Sequence, residues 1–197
     1  MADDSNNYAL NEDELREATK LADKGDADAQ MRVGSYHLLG RARPDYSKAY
    51  RYFRKAADQD NIRSMYYLAE MYYHGWGVTK DEDRALELFD TAADAGDRDA
   101  EYAIGMMYLK GDIVERNVDR ALDFFLRAAD KGQFQSYNAI GAIYDEGSCV
   151  DRDPFKAREY YLKGMGAGDQ RALENLTILE ARERSNGTKG WTEPEEQ

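Results

Sequence analysis

Small and apolar residues recur three to four positions apart along most of the chain, and regularly placed glycine and acidic residues interrupt the pattern. Ala100, Ile104, Gly105 and Tyr108 show this helical spacing in one segment. Such a segment ends at a glycine, and the next one opens with Asp or Asn, the residues that cap helix N-termini. The pattern predicts pairs of short helices, named helix A and helix B in each pair, and hence an all-α fold.

The helix pair recurs four times with a period of 36 residues, and the first copy is one residue shorter in its loop. The copies begin at Gly25, Asp60, Gly96 and Gly132. Helix A ends at Gly40, Gly75, Gly111 and Gly147, which we expect to close it in the left-handed conformation. Helix B opens at the N-cap residues Asp45, Asp81, Asn117 and Asp153.

Small residues at fixed repeat positions predict where the helices approach closely, and bulky residues beside them predict the core. The small positions are Ala49, Ala85, Ala121 and Ala157 with Gly34, Gly105 and Gly141. The bulky positions are Phe53, Phe89, Phe125 and Tyr161 on helix B, and Val33, Leu68, Ile104, Ile140, Tyr72, Tyr108 and Tyr144 on helix A. Because one pair cannot bury these side chains alone, neighbouring pairs must stack into an α-solenoid.

The ends of the pattern differ from its middle. We expect a solenoid over residues 11–184, with a lone helix B over 11–24, repeats over 25–59, 60–95, 96–131 and 132–167, and a lone helix A over 168–184. Asn11 and Glu14 have the spacing of a capping box. The acidic N-terminal segment 1–10 and the polar C-terminal segment 185–197 are predicted to be disordered tails.

One repeat carries the motif Leu68-Ala69-x-x-Tyr72-x-x-Gly75-Trp76-Gly77-Val78, followed by Asp81-x-x-Arg84-Ala85-x-x-x-Phe89-x-x-Ala92-Ala93-x-x-Gly96. This motif resembles the Sel1-like repeat, a relative of the tetratricopeptide repeat. The resemblance implies a right-handed superhelix that acts as an adaptor or scaffold, with no catalytic site. Some Cys-rich, exported members of that family are linked to β-lactam binding or weak hydrolysis, but this chain has a single cysteine, Cys149, and no Ser-x-x-Lys arrangement.

Charge restricts the classes of partner. The net charge of -12 repels nucleic acid and anionic membranes, so we expect neither as a partner. The acidic, polar first residues do not resemble a signal peptide, which predicts a cytoplasmic location. His37 and His74 are too few to suggest a metal site, and His37 takes the place of a core tyrosine. We expect no cofactor and no small-molecule substrate, and we expect a monomer.

A hydrophobic stripe on helix A, opposite its core positions, is the predicted site. In the tetratricopeptide architecture this face lines the concave groove where peptides bind. A solvated face would be polar, yet the first three repeats place aromatic, methionine and leucine residues among its positions: Met31, Ser35, Leu38, Tyr66, Glu70, Tyr73, Tyr102, Met106 and Leu109. The fourth repeat carries Asn138, Asp145 and Glu146 there, so we expect the groove to be confined to the first three.

Two questions about this site stay open at the level of sequence. The tyrosines either contact a partner or pack between successive helices A. Trp76, in the second loop, either covers the edge of helix B or forms a second contact point. The rim residues Arg63, His74 and Lys110 would suit a partner of mixed charge, although solvated surface charge also accounts for them.

Three functional classes follow. A non-catalytic adaptor that binds another protein or peptide agrees best with the stripe. A hydrolase like the Cys-rich relatives would need a nucleophile and a base that the sequence does not supply, and a nitrocefin assay tests for it. An acidic inhibitor or immunity-type protein would use its negative charge to mask a basic partner. Steep loss of binding with added salt would indicate the last class.

Overall fold

The computed structural model describes residues 10–40, 43–147 and 150–188. Every element in these ranges is an α-helix, which confirms the predicted all-α class. In chain order they are α1 (Glu12–Asp23), α2 (Ala27–Leu39), α3 (Tyr46–Ala57), α4 (Ile62–His74), α5 (Glu82–Asp94), α6 (Arg98–Lys110), α7 (Val118–Asp130), α8 (Gln135–Glu146), α9 (Pro154–Gly166) and α10 (Gln170–Ser185). Helices A are therefore α2, α4, α6, α8 and α10, and helices B are α1, α3, α5, α7 and α9.

The chain packs as two compact units, one up to Ala100 and the other from Glu101, and each is described by itself. None of the helices among the described residues is long and apolar enough to cross a lipid bilayer. Most of the two predicted tails, residues 1–9 and 189–197, lies outside the described residues, as does Cys149. At the start of the predicted C-terminal tail, Ser185 is still the last residue of α10, and the Thr188 hydroxyl donates to Glu183 Oε2 at 2.7 Å.

Helix N-termini follow the predicted capping chemistry. The side chains of Asp45, Asp81, Asn117 and Asp153 each accept a hydrogen bond from the backbone N–H three residues later, at 2.9–3.1 Å. In α1, Asn11 accepts from the Glu14 backbone N–H and the Glu14 carboxylate accepts from the Asn11 N–H, which completes the predicted capping box. These bonds satisfy backbone donors that have no partner inside the helix.

Three of the four glycines that end helix A have the left-handed conformation, with φ of 72° at Gly75, 73° at Gly111 and 64° at Gly147. The prediction is wrong for Gly40, where φ is -81°. In each repeat the N-cap N–H of helix B donates to a carbonyl near the end of helix A, from Asp45 to His37 in the first repeat and from Asp81 to Tyr72 in the second. The first loop spans these anchor points with one residue fewer, and Gly40 does not take the left-handed conformation that the longer loops use.

The core of each unit forms where an aromatic ring of helix B meets a small residue of helix A. Phe53, Phe89, Phe125 and Tyr161 are at most 2% exposed, as the sequence predicts. A Cβ atom added at Gly34 would lie 2.8 Å from the Phe53 ring, and one added at Gly105 or Gly141 would lie 2.7 or 2.6 Å from its ring. The glycines therefore set how closely the two helices pack.

The last helix departs from this rule. Asp97, Gln133 and Asp169 stand at the start of α6, α8 and α10 in the same 36-residue register, so Thr177 of α10 corresponds to Gly105 and Gly141. Thr177 is exposed, and its hydroxyl donates to the Leu173 carbonyl at 2.9 Å. A β-branched side chain thus occupies the place where the other helices A receive a ring.

Candidate partner-binding faces

The predicted stripe in the first unit is only partly accessible. Ser35 and Leu38 are 0% and 5% exposed, so they present no surface to a partner. Met31, Tyr66, Glu70 and Tyr73 are half-buried, with part of each side chain reaching solvent. A continuous stripe is therefore reduced to one residue of α2 and three of α4.

Tyr66 is engaged with its own unit. Its ring centre lies 5.2 Å from that of Tyr67 and 5.9 Å from that of Phe89, and the Arg63 guanidinium lies 4.8 Å from it. Burial, followed by the charges of Glu70 and Asp99, raises the pKa of the Tyr66 hydroxyl above its ordinary value. The packing alternative therefore accounts for part of this ring, and its accessible remainder is small.

Arg63 is not a solvated rim charge. Its guanidinium pairs with Asp97 Oδ2 at 3.2 Å and also with Asp99, both at the start of α6. Asp97 in turn accepts from the backbone N–H groups of Asp99 and Ala100 at 2.9 Å. Arg63 therefore joins the start of α4 to the capped start of the next helix A.

Trp76 packs against the preceding helix B. Its ring stacks on that of Tyr46, the first residue of α3, at 5.6 Å, and on that of His74 at 4.4 Å. His74 meets Tyr73 edge-on at 4.8 Å and lies 3.5 Å from a Glu70 carboxylate oxygen. A ladder of four rings (Tyr73, His74, Trp76 and Tyr46) therefore connects α4 to α3, and Trp76 keeps only part of its surface in solvent.

In the second unit, Tyr102, Met106 and Leu109 of α6 are half-buried and Lys110 is exposed. The Tyr102 ring lies 5.5 Å from that of Phe125, and burial raises the pKa of its hydroxyl. Tyr102 thus packs on Phe125 in the same way that Tyr66 packs on Phe89 in the first unit.

Polar residues at the same positions of α8 hold the last helix. Asn138 accepts a hydrogen bond from the Asn175 side chain at 2.9 Å, and Asp145 pairs with Arg182 of α10 and with Arg152 at 3.2 Å. The fourth repeat therefore uses this face to attach α10, which gives a physical reason for its polar composition.

Glu183 of α10 extends this network. It is 2% exposed, and its carboxylate accepts from Arg152 at 2.5 Å and from the Thr188 hydroxyl. The hydrogen bond from Arg152 holds the pKa of Glu183 below its usual range. Because the folded pKa is depressed, the ion pair stabilises the fold above the unfolded pKa and is lost as the pH falls through the folded one.

Sequence reasoning missed a second kind of buried polar residue. Glu101 is fully buried. Its carboxylate lies 2.6 Å from Arg127, in the last turn of α7, and 3.0 Å from Lys131, the residue that follows α7. In the first repeat, the corresponding Gln30 is 3% exposed and accepts from Gln59 at 2.8 Å. The second and fourth repeats carry Met65 and Tyr137 at this position, and a comparison of the repeats column by column would have revealed the alternation.

The model of the family described as Sel1 repeat matches residues 27–61, 62–97, 98–133 and 135–169. The chain belongs to the Sel1 repeat family. Human Protein sel-1 homolog 2 is 39% identical over 64 residues, which cover 32% of this chain and 9% of the relative. The mouse protein of that name is 38% identical over the same length. The chain thus spans about a tenth of the length of these curated Sel1 relatives.

Solved structures show the same Sel1 fold. A Sel1 repeat protein from Oxalobacter formigenes superposes with a TM-score of 0.75 at 29% identity, covering 86% of this chain and 76% of that one. The protective antigen c5321 of uropathogenic Escherichia coli, which displays an SLR fold, gives a TM-score of 0.74 at 30% identity and covers 88% of this chain and 37% of its own. Sel1 repeat proteins generally mediate protein–protein interaction and are generally non-catalytic.

Proposed function

We propose that this protein is a non-catalytic adaptor whose helix A faces bind a peptide or a partner protein. In the first unit the binding residues are Met31, Tyr66, Glu70 and Tyr73, and in the second they are Tyr102, Met106 and Leu109. The observation that carries the proposal is the half-buried state of Tyr66, Tyr73 and Tyr102, three aromatic side chains on helix faces that a solvated surface would fill with polar residues.

The chemistry of these residues suits recognition of a mixed apolar and polar segment. A tyrosine ring contributes a large contact area at a low cost in conformational entropy, and its hydroxyl can still bond to water or to a partner. Met31 and Met106 add flexible thioethers that adapt to irregular surfaces. Because Tyr66 and Tyr102 are already packed on Phe89 and Phe125, their rings would meet a partner without further ordering.

Affinity capture with the full chain, followed by mass spectrometry, identifies the partner, and alanine variants test the face. We expect Tyr66→Ala, Tyr73→Ala and Tyr102→Ala each to weaken capture by about tenfold or more, as truncation of a central interface aromatic does. Circular dichroism checks that each variant keeps its helices. Unchanged capture by all three natively folded variants would contradict the proposal.

Tyr160→Ala is the matched control. Tyr160 is also a half-buried tyrosine, but it lies on the helix B α9, where it stacks on Tyr144 at 6.1 Å. We expect this change to leave capture intact. Equal loss from Tyr160→Ala would mean that the helix A faces are not the specific binding surface.

A further inference from the structure

Helix α3 is basic in an acidic protein. Its residues Tyr46–Ala57 include Lys48, Arg51, Arg54 and Lys55 and no Asp or Glu, whereas the whole chain carries a net charge of -12. All four basic side chains are exposed, with the half-buried Tyr50 and Tyr52 between them. Positive charge is therefore concentrated on the outer face of one helix of the first unit.

A comparison with the other repeats shows which of these cations is common to every repeat and which are particular to α3. Lys48 corresponds to Arg84, Arg120 and Lys156, so a cation recurs at this position in every helix B of the repeats. The last three lie 4.9, 5.4 and 5.0 Å from the ring centres of Tyr72, Tyr108 and Tyr144. Lys48 pairs with its N-cap residue Asp45 at 3.4 Å. This position thus belongs to the repeat itself and does not distinguish α3.

Arg51 and Arg54 distinguish α3 from the helices B of the other repeats. The residues that correspond to Arg51 are acidic in all three other repeats: Glu87, Asp123 and Glu159. Those that correspond to Arg54 are Asp90, Leu126 and Leu162. The first repeat therefore reverses the sign of the charge at one exposed position and places a cation at a second, while the fold of the helix pair is the same.

The fold gains little from these two arginines. Among the described residues, no carboxylate lies within ion-pair distance of Arg51 or Arg54. Lys48, Arg51 and Lys55 repel one another at spacings of three and four residues along the helix. Arg54 and Lys55 lie in the last turn, where the helix dipole favours cations, but Arg51 lies in the middle of the helix. A binding role explains a cluster that the helix alone does not favour.

The surface continues beyond the start of α3. An open depression of about 470 Å³ is lined by Arg43, Pro44, Asp45, Tyr46, Ser47 and Gly77. Arg43 is exposed at its edge, and Ser47 lies one turn before Arg51 on the same face of the helix. The basic face therefore adjoins this depression, in which the Asp45 carboxylate is already paired with Lys48.

We propose that the outer face of α3, formed by Arg51, Arg54 and Lys55 with Arg43 at its end, binds an acidic segment of a partner protein. Arginine side chains recognise carboxylates through paired hydrogen bonds. A short acidic peptide contacts only this face, whereas nucleic acid or an anionic membrane would also meet the negative charge of the rest of the chain. This surface is distinct from the helix A faces and does not depend on them.

The test uses the full chain and a fluorescein-labelled decaglutamate peptide, with binding followed by fluorescence anisotropy at about 20 mM NaCl, where screening is weak. We expect saturable binding by the wild type and at least about fivefold weaker binding by Arg51→Gln/Arg54→Gln. The melting temperature of this variant should stay within about 2 °C of that of the wild type, because the substitutions relieve repulsion within α3 but add to the net negative charge of the chain. A merely structural role of the two arginines would lower it by more.

The control Arg16→Gln/Lys20→Gln removes the same two charges from exposed positions on α1. We expect this variant to bind the peptide as the wild type does. The proposal is overturned if the wild type does not bind, if the control loses as much affinity as the α3 variant, or if a decathymidylate oligonucleotide or phosphatidylserine vesicles bind more tightly than the peptide. Tyr102→Ala, which changes a helix A face of the second unit, should leave peptide binding intact, and this keeps the test separate from that of the helix A faces.

Discussion

Gly34, Gly105 and Gly141 show how far single residues determine this fold. Each faces the ring of its own helix B so closely that an added methyl group would overlap it. The second repeat carries Ala69 at this position, and it is fully buried. Small residues are required here because the ring, which is itself buried, has nowhere to move.

Gly105→Ala should therefore destabilise the protein. We expect a loss of about 1–3 kcal/mol in the free energy of unfolding, since the new Cβ would press on the Phe125 ring. Urea unfolding followed by circular dichroism measures the loss. Gly166→Ala is the control, because a Cβ added at that helical position would have no atom within 4 Å from any described residue outside its own helix backbone and chain neighbours. There we expect no loss and up to about 1 kcal/mol of gain from helix propensity. Equal stability of the two variants would contradict the steric account.

For single residues, burial could be predicted from the sequence more accurately than the contacts of the polar side chains. The caps at Asp45, Asp81, Asn117 and Asp153 and the four core rings depend on local spacing, which a repeat makes visible. The accessibility of Leu38 and the ion pairs of Arg63 depend on the next helix along the chain. These contacts are invisible on a helical wheel of one helix, which places Leu38 on the surface and Arg63 at the rim of the groove.

At the scale of the helix pair, buried polar side chains alternate with apolar ones. The first and third repeats bury a polar residue of helix A that meets a polar partner at the end of helix B: Gln30 with Gln59, and Glu101 with Lys131. In the second and fourth repeats the same two positions hold Met65 with Ala95 and Tyr137 with Ala167. Both positions change together, because a buried carboxylate without a cation would be costly.

This pairing predicts that removing the cations destabilises the protein more than removing the carboxylate. Arg127→Gln/Lys131→Gln leaves the Glu101 carboxylate buried without a cation and should cost about 1–3 kcal/mol, a range reduced because both cations are partly exposed. Glu101→Met introduces the residue of the second repeat and should stay within about 1 kcal/mol of the wild type. Thermal and urea unfolding compare them. If Glu101→Met proves the more damaging change, the ion pairs contribute net stability and the account fails.

At the scale of the whole molecule, the net charge of -12 acts against the compact state. Many ion pairs offset part of this repulsion, but most of them are exposed and weak. The family and the helix order could be predicted from the sequence because the same pattern occurs in four copies. The division into two units at Ala100 could not, since similar repeats carry no sequence signal that separates one unit from the next.

Added salt should therefore stabilise this protein. Between about 20 mM and 300 mM NaCl we expect the melting temperature to rise by about 2–4 °C, which corresponds to roughly 1 kcal/mol in a chain of this size. Sucrose at matched osmolality separates charge screening from solute exclusion. A melting temperature that falls with salt would show that attractive pairs outweigh the repulsion among like charges.

Thr177 has a consequence for anyone who wishes to lengthen this protein by design. An extra 36-residue unit placed ahead of residue 132 would meet Gly or Ala at every junction, as the natural units do. A helix B appended directly after α10 would instead strike a β-branched side chain where it needs room for its ring. Units can therefore be inserted between existing repeats, whereas adding a helix B after α10 would first require Thr177→Gly.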